Sequence, residues 1–355
     1  MFTIQRGKSR KEVKKMGRFE VKRRKIRLKA ARMILGLGFS MIILVSMYGN
    51  AFGAEKYPTA PVEIICPFAA GAATDYLSRF MAEELSKKWG QPVNVVNKVG
   101  GNTVIGTHAM MSAAPDGYTI LADSTPSSSA QIGLKGLPYE VTKRTFLALA
   151  YYVPQVIILS KDAPWNSLQE LAEAGRKDPA SIVWGAAAGG RGGCDIVQLQ
   201  FFEIAGIDVP KTRRVDFTGS ATAINALSGG HIKLHAASPA AVNPAVSSGK
   251  AKAIGVTTPK RTPLLPDVLT TREAGFPTVD YRFWVGFSGP PGLPAHVKEV
   301  FVKTVDEILK DPGVVDRLAK RFDAIPSFIG LETFKTFVQD EANKIERLIK
   351  LMVTK

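Results

Sequence analysis

The residues best suited to hold a small polar molecule sit in five short loops. Each follows an apolar run and opens a segment of helical period. The first, Pro67 to Asp75, reads PFAAGAATD. Its small residues Ala69, Ala70 and Gly71 let backbone N–H groups approach a bound anion closely, and the next helix points its positive end at the same place. Phe68 and Asp75 flank that stretch. The second loop, Asp123 to Ser129, supplies a row of hydroxyls that includes Ser124 and Thr125. The third, Ala186 to Asp195, carries four glycines and Arg191, then Gly192, Cys194 and Asp195. A guanidinium can grip a carboxylate with two parallel hydrogen bonds, which an ammonium cannot. The fourth offers Gly219 and Ser220, and the fifth Ser238. Each loop alone also reads as an ordinary turn: a glycine-rich strand-to-helix link, a capped polar loop or a solvated arginine.

Catalytic patterns are absent. The chain has no G-x-S-x-G elbow, no G-x-x-x-x-G-K-[ST] and no H-E-x-x-H. Gly190-x-Gly192 lacks the third glycine of a dinucleotide loop. His231 and His235 stand four apart without an acidic or thiol partner, so they read as a surface or core pair. No catalytic residue, metal site or cofactor is therefore expected. The enzyme reading that remains is an exported α/β enzyme using Cys194 or a serine of the cleft as nucleophile. Cys194 beside Asp195 at a helix start would have a lowered pKa, but a nucleophile needs a base and the sequence identifies none.

The elements that position these loops lie in a chain of 355 residues, 45% hydrophobic and 22% charged. That is enough for two lobes with ample core. The net charge of +16 invites a nucleic-acid reading, but its distribution removes it. Residues 1–33 hold 14 of the 47 basic residues and 2 of the 31 acidic ones, and residues 34–54 hold neither. Residues 55–355 keep 33 against 29, a mild +4 without a concentrated stripe. The basic stretch is followed by the apolar run Met33 to Tyr48 and by small residues through Ala54. That order marks residues 1–54 as a secretory signal with its h-region at 33–48, cleaved near Gly53 or Ala54. Met16 offers a second possible start. The body is then expected outside the cytoplasmic membrane, where Cys66 and Cys194 are either free or joined.

Past the leader, periodicity predicts strands at 62–68, 93–97 and 118–122 and helices at 71–90 and 103–113. Thr74 is the expected cap of the first helix and Gly90 its stop. The alternation resumes after about residue 150, with strands at 155–160, 181–185, 215–217, 232–236, 251–257 and 281–289. Helices intervene, and three more fill the last sixty residues. Two α/β lobes with parallel pairing follow, and such sheets bind ligands beyond the carboxyl ends of their strands. The crossings between lobes are expected near 150–155 and 278–288.

The opening of the body resembles a known family. Tyr57–Pro58, Phe68, Gly71, Asp75, Val95–Asn97, Gly100–Gly101 and Pro115–Tyr118 stand in its order and spacing. So do Phe217–Ser220, Leu227–Gly230, Ser248–Lys250, Arg261–Pro263, Leu265–Asp267 and Glu273–Gly275. The family is that of the tripartite tricarboxylate transporter substrate-binding proteins, the Bug-type periplasmic receptors. The resemblance implies an α/β, two-lobe periplasmic-binding-protein fold (venus flytrap, type II-like) with a ligand cleft between the lobes. Residues 55–152 and 282–355 would form lobe 1, and 153–281 lobe 2. It further implies a monomeric receptor without cofactor. The receptor would capture a small carboxylate (a di- or tricarboxylate, aromatic acid or amino acid) and present it to the membrane components of a tripartite transporter. A ligand sensor for a two-component kinase is the other binding role. Carried over by position, the ligand would meet Phe68, Ala69, Ala70, Gly71, Asp75, Ser124, Thr125, Gly219, Ser220 and Ser238. The family's G-S-x-x-H in the second lobe is replaced by Arg191, Gly192, Gly193, Cys194 and Asp195. Arg191 could stand in for lost donors, and Asp195 would repel an anion or welcome an ammonium. An Arg191 side chain facing the cleft would contribute roughly 1.5–3 kcal/mol to carboxylate binding.

Overall fold

The computed structural model describes residues 56–353, so the leader read at 1–54 lies outside the described residues. A six-stranded sheet runs in the order β11-β4-β10-β3-β1-β2 and a five-stranded one in the order β7-β6-β8-β5-β9. The first sheet opens with β1 (Val62–Cys66), α1 (Ala73–Trp89), β2 (Val93–Asn97), α2 (Val104–Met111) and β3 (Thr119–Ser124). β1 pairs in parallel with both β2 and β3. The short helix α3 (Ser129–Ile132) and β4 (Thr145–Val153) follow.

The second sheet holds β5 (Val156–Ser160), β6 (Val183–Ala187), β7 (Arg213–Phe217), β8 (Leu234–Ala237) and β9 (Ala251–Val256). Its helices are α4 (Leu168–Lys177), α5 (Gly193–Ala205), α6 (Ser220–Ser228) and α7 (Pro239–Ser247). β6 pairs in parallel with β7 and β8, while β5 lies antiparallel between β8 and β9. The chain then returns to the first sheet through β10 (Phe283–Gly289), which runs antiparallel to β3 and β4. It ends with α8 (Ala295–Lys310), α9 (Pro312–Phe322), β11 (Ile325–Gly330) and α10 (Leu331–Ile349). Among the described residues, no helix is long and apolar enough to cross a membrane.

Two strands depart from the expected pattern. β4 was not expected because TFLALAYYV is apolar at almost every position and lacks a period of two. It is buried along nearly its whole length, with α8 on one face and α10 on the other, which removes the alternation that marks a half-exposed strand. β11 is a short edge strand whose Pro326 has no N–H to give to a ladder. The N-cap of α1 is Ala72 rather than Thr74, and it forms no side-chain cap bond. Cys66 and Cys194 are both free and buried.

The hydroxyl row after β3 turns inward instead of toward solvent. Asp123 and Arg144 form an ion pair at 3.1 Å with both side chains fully buried. Asp123 also accepts from Ser127 Oγ at 2.7 Å, the Ser124 N–H at 2.9 Å and Ser288 Oγ at 2.5 Å. Arg144 also donates from Nε to the Val141 carbonyl and from Nη2 to the Ser127 carbonyl. Every charge is thus matched, the condition under which a buried pair is tolerated.

α10 straps the two sheets together. Phe334 and Val338 pack with Phe146, Leu149 and Trp284 of the first sheet. Two turns on, Ile345 and Leu348 join the core around Trp184, Phe201 and Phe202 of the second. Between these contacts lies Glu341, which accepts from Trp284 Nε1 at 2.6 Å, from Thr125 Oγ1 at 3.2 Å and from Ser129 Oγ. Burial outweighs these donors and pushes its carboxyl up to about 7.

Two outcomes are expected. Arg144→Ala strands the Asp123 charge in the core and should lower unfolding free energy by about 3–5 kcal/mol, read from urea titrations. Glu341 holds its proton more tightly folded than unfolded, so its contribution is complete below its ordinary value of 4.5 and declines as pH rises toward about 7. Glu341→Gln, a mimic of the protonated acid, should flatten the fall in stability between those pH values in urea titrations run across pH.

Candidate functional site

Each sheet sends its parallel strands into helices on one side, and those helix starts surround a single cavity of about 820 Å³. That is the size of an ordinary small-molecule site. The first sheet contributes Phe68 through Thr74 at the start of α1. The second contributes Gly192, Gly193 and Cys194 at α5, Gly219, Ser220 and Ala221 at α6, and Ser238, Ala240 and Ala241 at α7. The N-cap residues of these four helices, Ala72, Gly192, Gly219 and Ser238, make no side-chain cap bond. First-turn N–H groups lack the i−4 partner of a helix interior; here those of Asp195 and Ala241 turn back to the Gly192 and Ser238 carbonyls at 3.0 Å, and Pro239 has none. Four sets of them, each at the positive end of a helix dipole, face one space.

Local sequence explains how the chain reaches this arrangement. Gly71 sits at φ +86°, where a side chain would be strained. Gly193 opens α5 where an added Cβ would lie 2.8 Å from the Phe283 ring and 3.3 Å from Tyr281. Only glycine lets that helix start pack against the returning strand. Asp75 and Asp195 occupy the same place, the third residue of α1 and of α5, and each carboxylate reaches back to its own loop. Asp75 accepts from the Gly71 N–H at 2.9 Å and from Asn97 Nδ2 at 2.8 Å, and pairs with Arg79 at 3.0 Å. Burial works against its charge, but Arg79, the Gly71 N–H and Asn97 hold the carboxyl below its usual range. Asp195 accepts from the Gly192 N–H at 2.8 Å and the Ala187 N–H at 2.9 Å. Burial pushes it up to about 7.

Of the residues expected at the site, Phe68, Ala69, Ala70, Gly71, Gly192, Cys194, Gly219, Ser220 and Ser238 line the cavity together. Asp75 and Asp195 do not, and shape the loops from beneath. Ser124 and Thr125 are buried away from it: the Ser124 N–H is taken by Asp123, and Thr125 Oγ1 bonds Tyr281 OH at 2.7 Å as well as Glu341. Arg191 also lies elsewhere, donating to the Ala130 carbonyl at 3.1 Å and facing Glu346 at 3.8 Å. Cys194 lines the wall, but burial pushes its thiol well above the ordinary value, the reverse of activation. His231 precedes β8 and His235 lies within it, its Nδ1 3.0 Å from the Gly185 carbonyl. Burial lowers the His235 pKa to about 4, so it is a neutral core residue.

Other lining residues escaped the sequence reading. Ile224, Asn225 and Ser228 of α6 continue the wall from Ala221 at helical spacing, and Pro244, Ala245 and Ser248 do the same along and just past α7. That spacing was readable, although its target was not. Tyr76, Pro126, Gln155, Ala187, Thr218, Ala237, Phe283 and Lys250 complete the lining. The cavity therefore carries no carboxylate and one basic side chain, Lys250. A second depression, of about 610 Å³, is lined only by residues 131–142 of a single stretch.

Solved structures repeat this architecture. The periplasmic binding protein BugD is 31% identical and superposes with a TM-score of 0.69 over 84% of this chain and all of its own. An R. palustris protein solved with adipate superposes at 0.74, with 25% identity over 83% of this chain and 98% of its own. MatC from Rhodopseudomonas palustris, solved with bound malate, gives 0.69 and 25% identity over 84% of this chain and all of its own. The sequence model of the tripartite tricarboxylate transporter family receptor matches residues 77–353, most of the described fold. The chain belongs to that receptor family.

Proposed function

We propose that this chain is a periplasmic solute-binding receptor that takes a small carboxylate into the cleft and presents it to the membrane components of a tripartite tricarboxylate-type transporter. The observation that carries the reading is the convergence of four uncapped helix starts on a cavity with no carboxylate in its wall. Such a site solvates an anion with backbone dipoles. The neighbours solved with adipate and malate each hold a carboxylate. The family consists of receptors rather than enzymes, and the buried Cys194 thiol, raised rather than lowered, fits that role.

The lobes fall at 55–152 with 282–355, and at 153–281. The chain leaves β4 at Val153 and enters β5 at Val156, and it returns over the longer stretch from Val256 to Phe283. Ligand contacts drawn from both lobes stabilise the closed form over the open one, and closure is what a membrane partner reads. Residues 1–54 act as the export signal.

The test is a thermal-shift and calorimetric panel of di- and tricarboxylates, aromatic acids and acidic amino acids. It uses purified protein stripped of carried ligand by unfolding and refolding. A cognate acid at a hundredfold excess over its Kd should stabilise the native state by about 2.7 kcal/mol and be recovered unchanged. No shift across the panel, or conversion of the compound, would overturn the reading. Because Arg191 is tied to Ala130 and Glu346, Arg191→Ala should leave the Kd of that acid within about twofold, far below the loss of a charge-assisted bond. A tenfold weakening would place Arg191 in the cleft after all.

A further inference from the structure

Gln155 is one of two residues that carry the chain from the first sheet to the second, and its side chain lines the cavity although the residue is only 4% exposed. Its backbone is fixed from both sides by Thr257. The Gln155 N–H donates to Thr257 Oγ1 at 3.0 Å, and the Thr257 N–H donates to the Gln155 carbonyl at 3.0 Å. The side-chain amide is fixed as well. Nε2 donates to the Pro154 carbonyl at 2.9 Å. Turning the amide over would set oxygen against oxygen, so its orientation follows from the bond itself. Oε1 has no hydrogen-bond partner among the described residues and is the end of the amide left for the cavity. A ligand that covers this acceptor without offering a donor strips it of water and leaves it unpaired, which is costly.

We infer that Gln155 makes the site select carboxylates that also carry a neutral hydrogen-bond donor, hydroxy acids above all. This rests on the carboxylate-receptor reading and narrows it. The anionic group is accommodated by the helix starts. A second carboxylate cannot donate to Oε1 and is repelled by it. An ammonium can donate, but no lining carboxylate shares its charge. A hydroxyl donates without adding charge, and a site whose acceptor is covered by the ligand discriminates strongly against an analogue that leaves the acceptor bare.

Matched pairs test this: malate against succinate, citrate against tricarballylate, 3-hydroxybutyrate against butyrate, and mandelate against phenylacetate, each titrated calorimetrically into the ligand-stripped protein. In every pair that binds, the hydroxy acid should bind at least about tenfold tighter, on the scale of one hydrogen bond to an otherwise unpaired group. In Gln155→Met, which keeps the length and both backbone bonds to Thr257, the two members should fall within about threefold of each other through loss of the hydroxy acid's advantage. Equal binding within the pairs by the unsubstituted protein overturns the inference and leaves the receptor reading standing. So does a preference that survives Gln155→Met. The comparison in the unsubstituted protein decides the matter even if the variant folds poorly. No binding by any acid overturns the receptor reading itself.

Discussion

A helix cannot give its first N–H groups the i−4 partner of its interior, and this protein leaves four such sets facing one space. Most features of the site follow from that constraint. The loops must be small so that the backbone reaches the cavity, which explains the alanines and glycines at 69–73 and 187–193. The loops must also be held without consuming the donors. Asp75 and Asp195 do this from below, each accepting from a loop N–H ahead of its helix while the helix start stays open. Parallel pairing of β1 with β2 and β3, and of β6 with β7 and β8, brings those helix starts to the carboxyl edge of each sheet. An anion is what such a set of donors lacks.

The two sheets are coupled more closely than two covalent crossings alone would allow. α10 buries side chains in both cores, and its midpoint is pinned by Glu341 to Trp284, Thr125 and Ser129. Thr125 in turn meets Tyr281 of the returning segment. Arg191 ties the second sheet's glycine loop to Ala130 of α3 and faces Glu346 of α10.

The sequence made much of this legible, and the unreadable parts share a cause. Strands β1 and β3 were readable as short apolar runs bounded by turn residues, although both are buried, while β2 and α1 each show one face to water and one to the core. β4 was not readable, because a nine-residue apolar run without alternation cannot be told from a buried helix by its period alone. The loops at 68–71, 192–194, 219–220 and 238 were readable as strand-to-helix turns. The role of the hydroxyl row was not, because Arg144, about twenty residues downstream, decides that those serines face inward. Arg191 and Asp195 look like ligand contacts in a string of letters, and only their partners, the Ala130 carbonyl and the Ala187 and Gly192 N–H groups, show otherwise. Gln155 lies in a crossing that could be located from the alternation of elements, but its orientation depends on the carbonyl just before it.

The wall formed by Ala221, Asn225 and Ser228 of α6 with Ala241, Pro244 and Ser248 along α7 has a consequence for descent. These side chains are short and lie on the outer faces of their helices, while Ala223, Leu227 and Val242 hold the core from the opposite faces. A larger residue at a wall position projects into the cavity and spares the packing behind it. Duplicated genes can therefore reshape the cleft one substitution at a time, trading one metabolite for another while the scaffold keeps its stability.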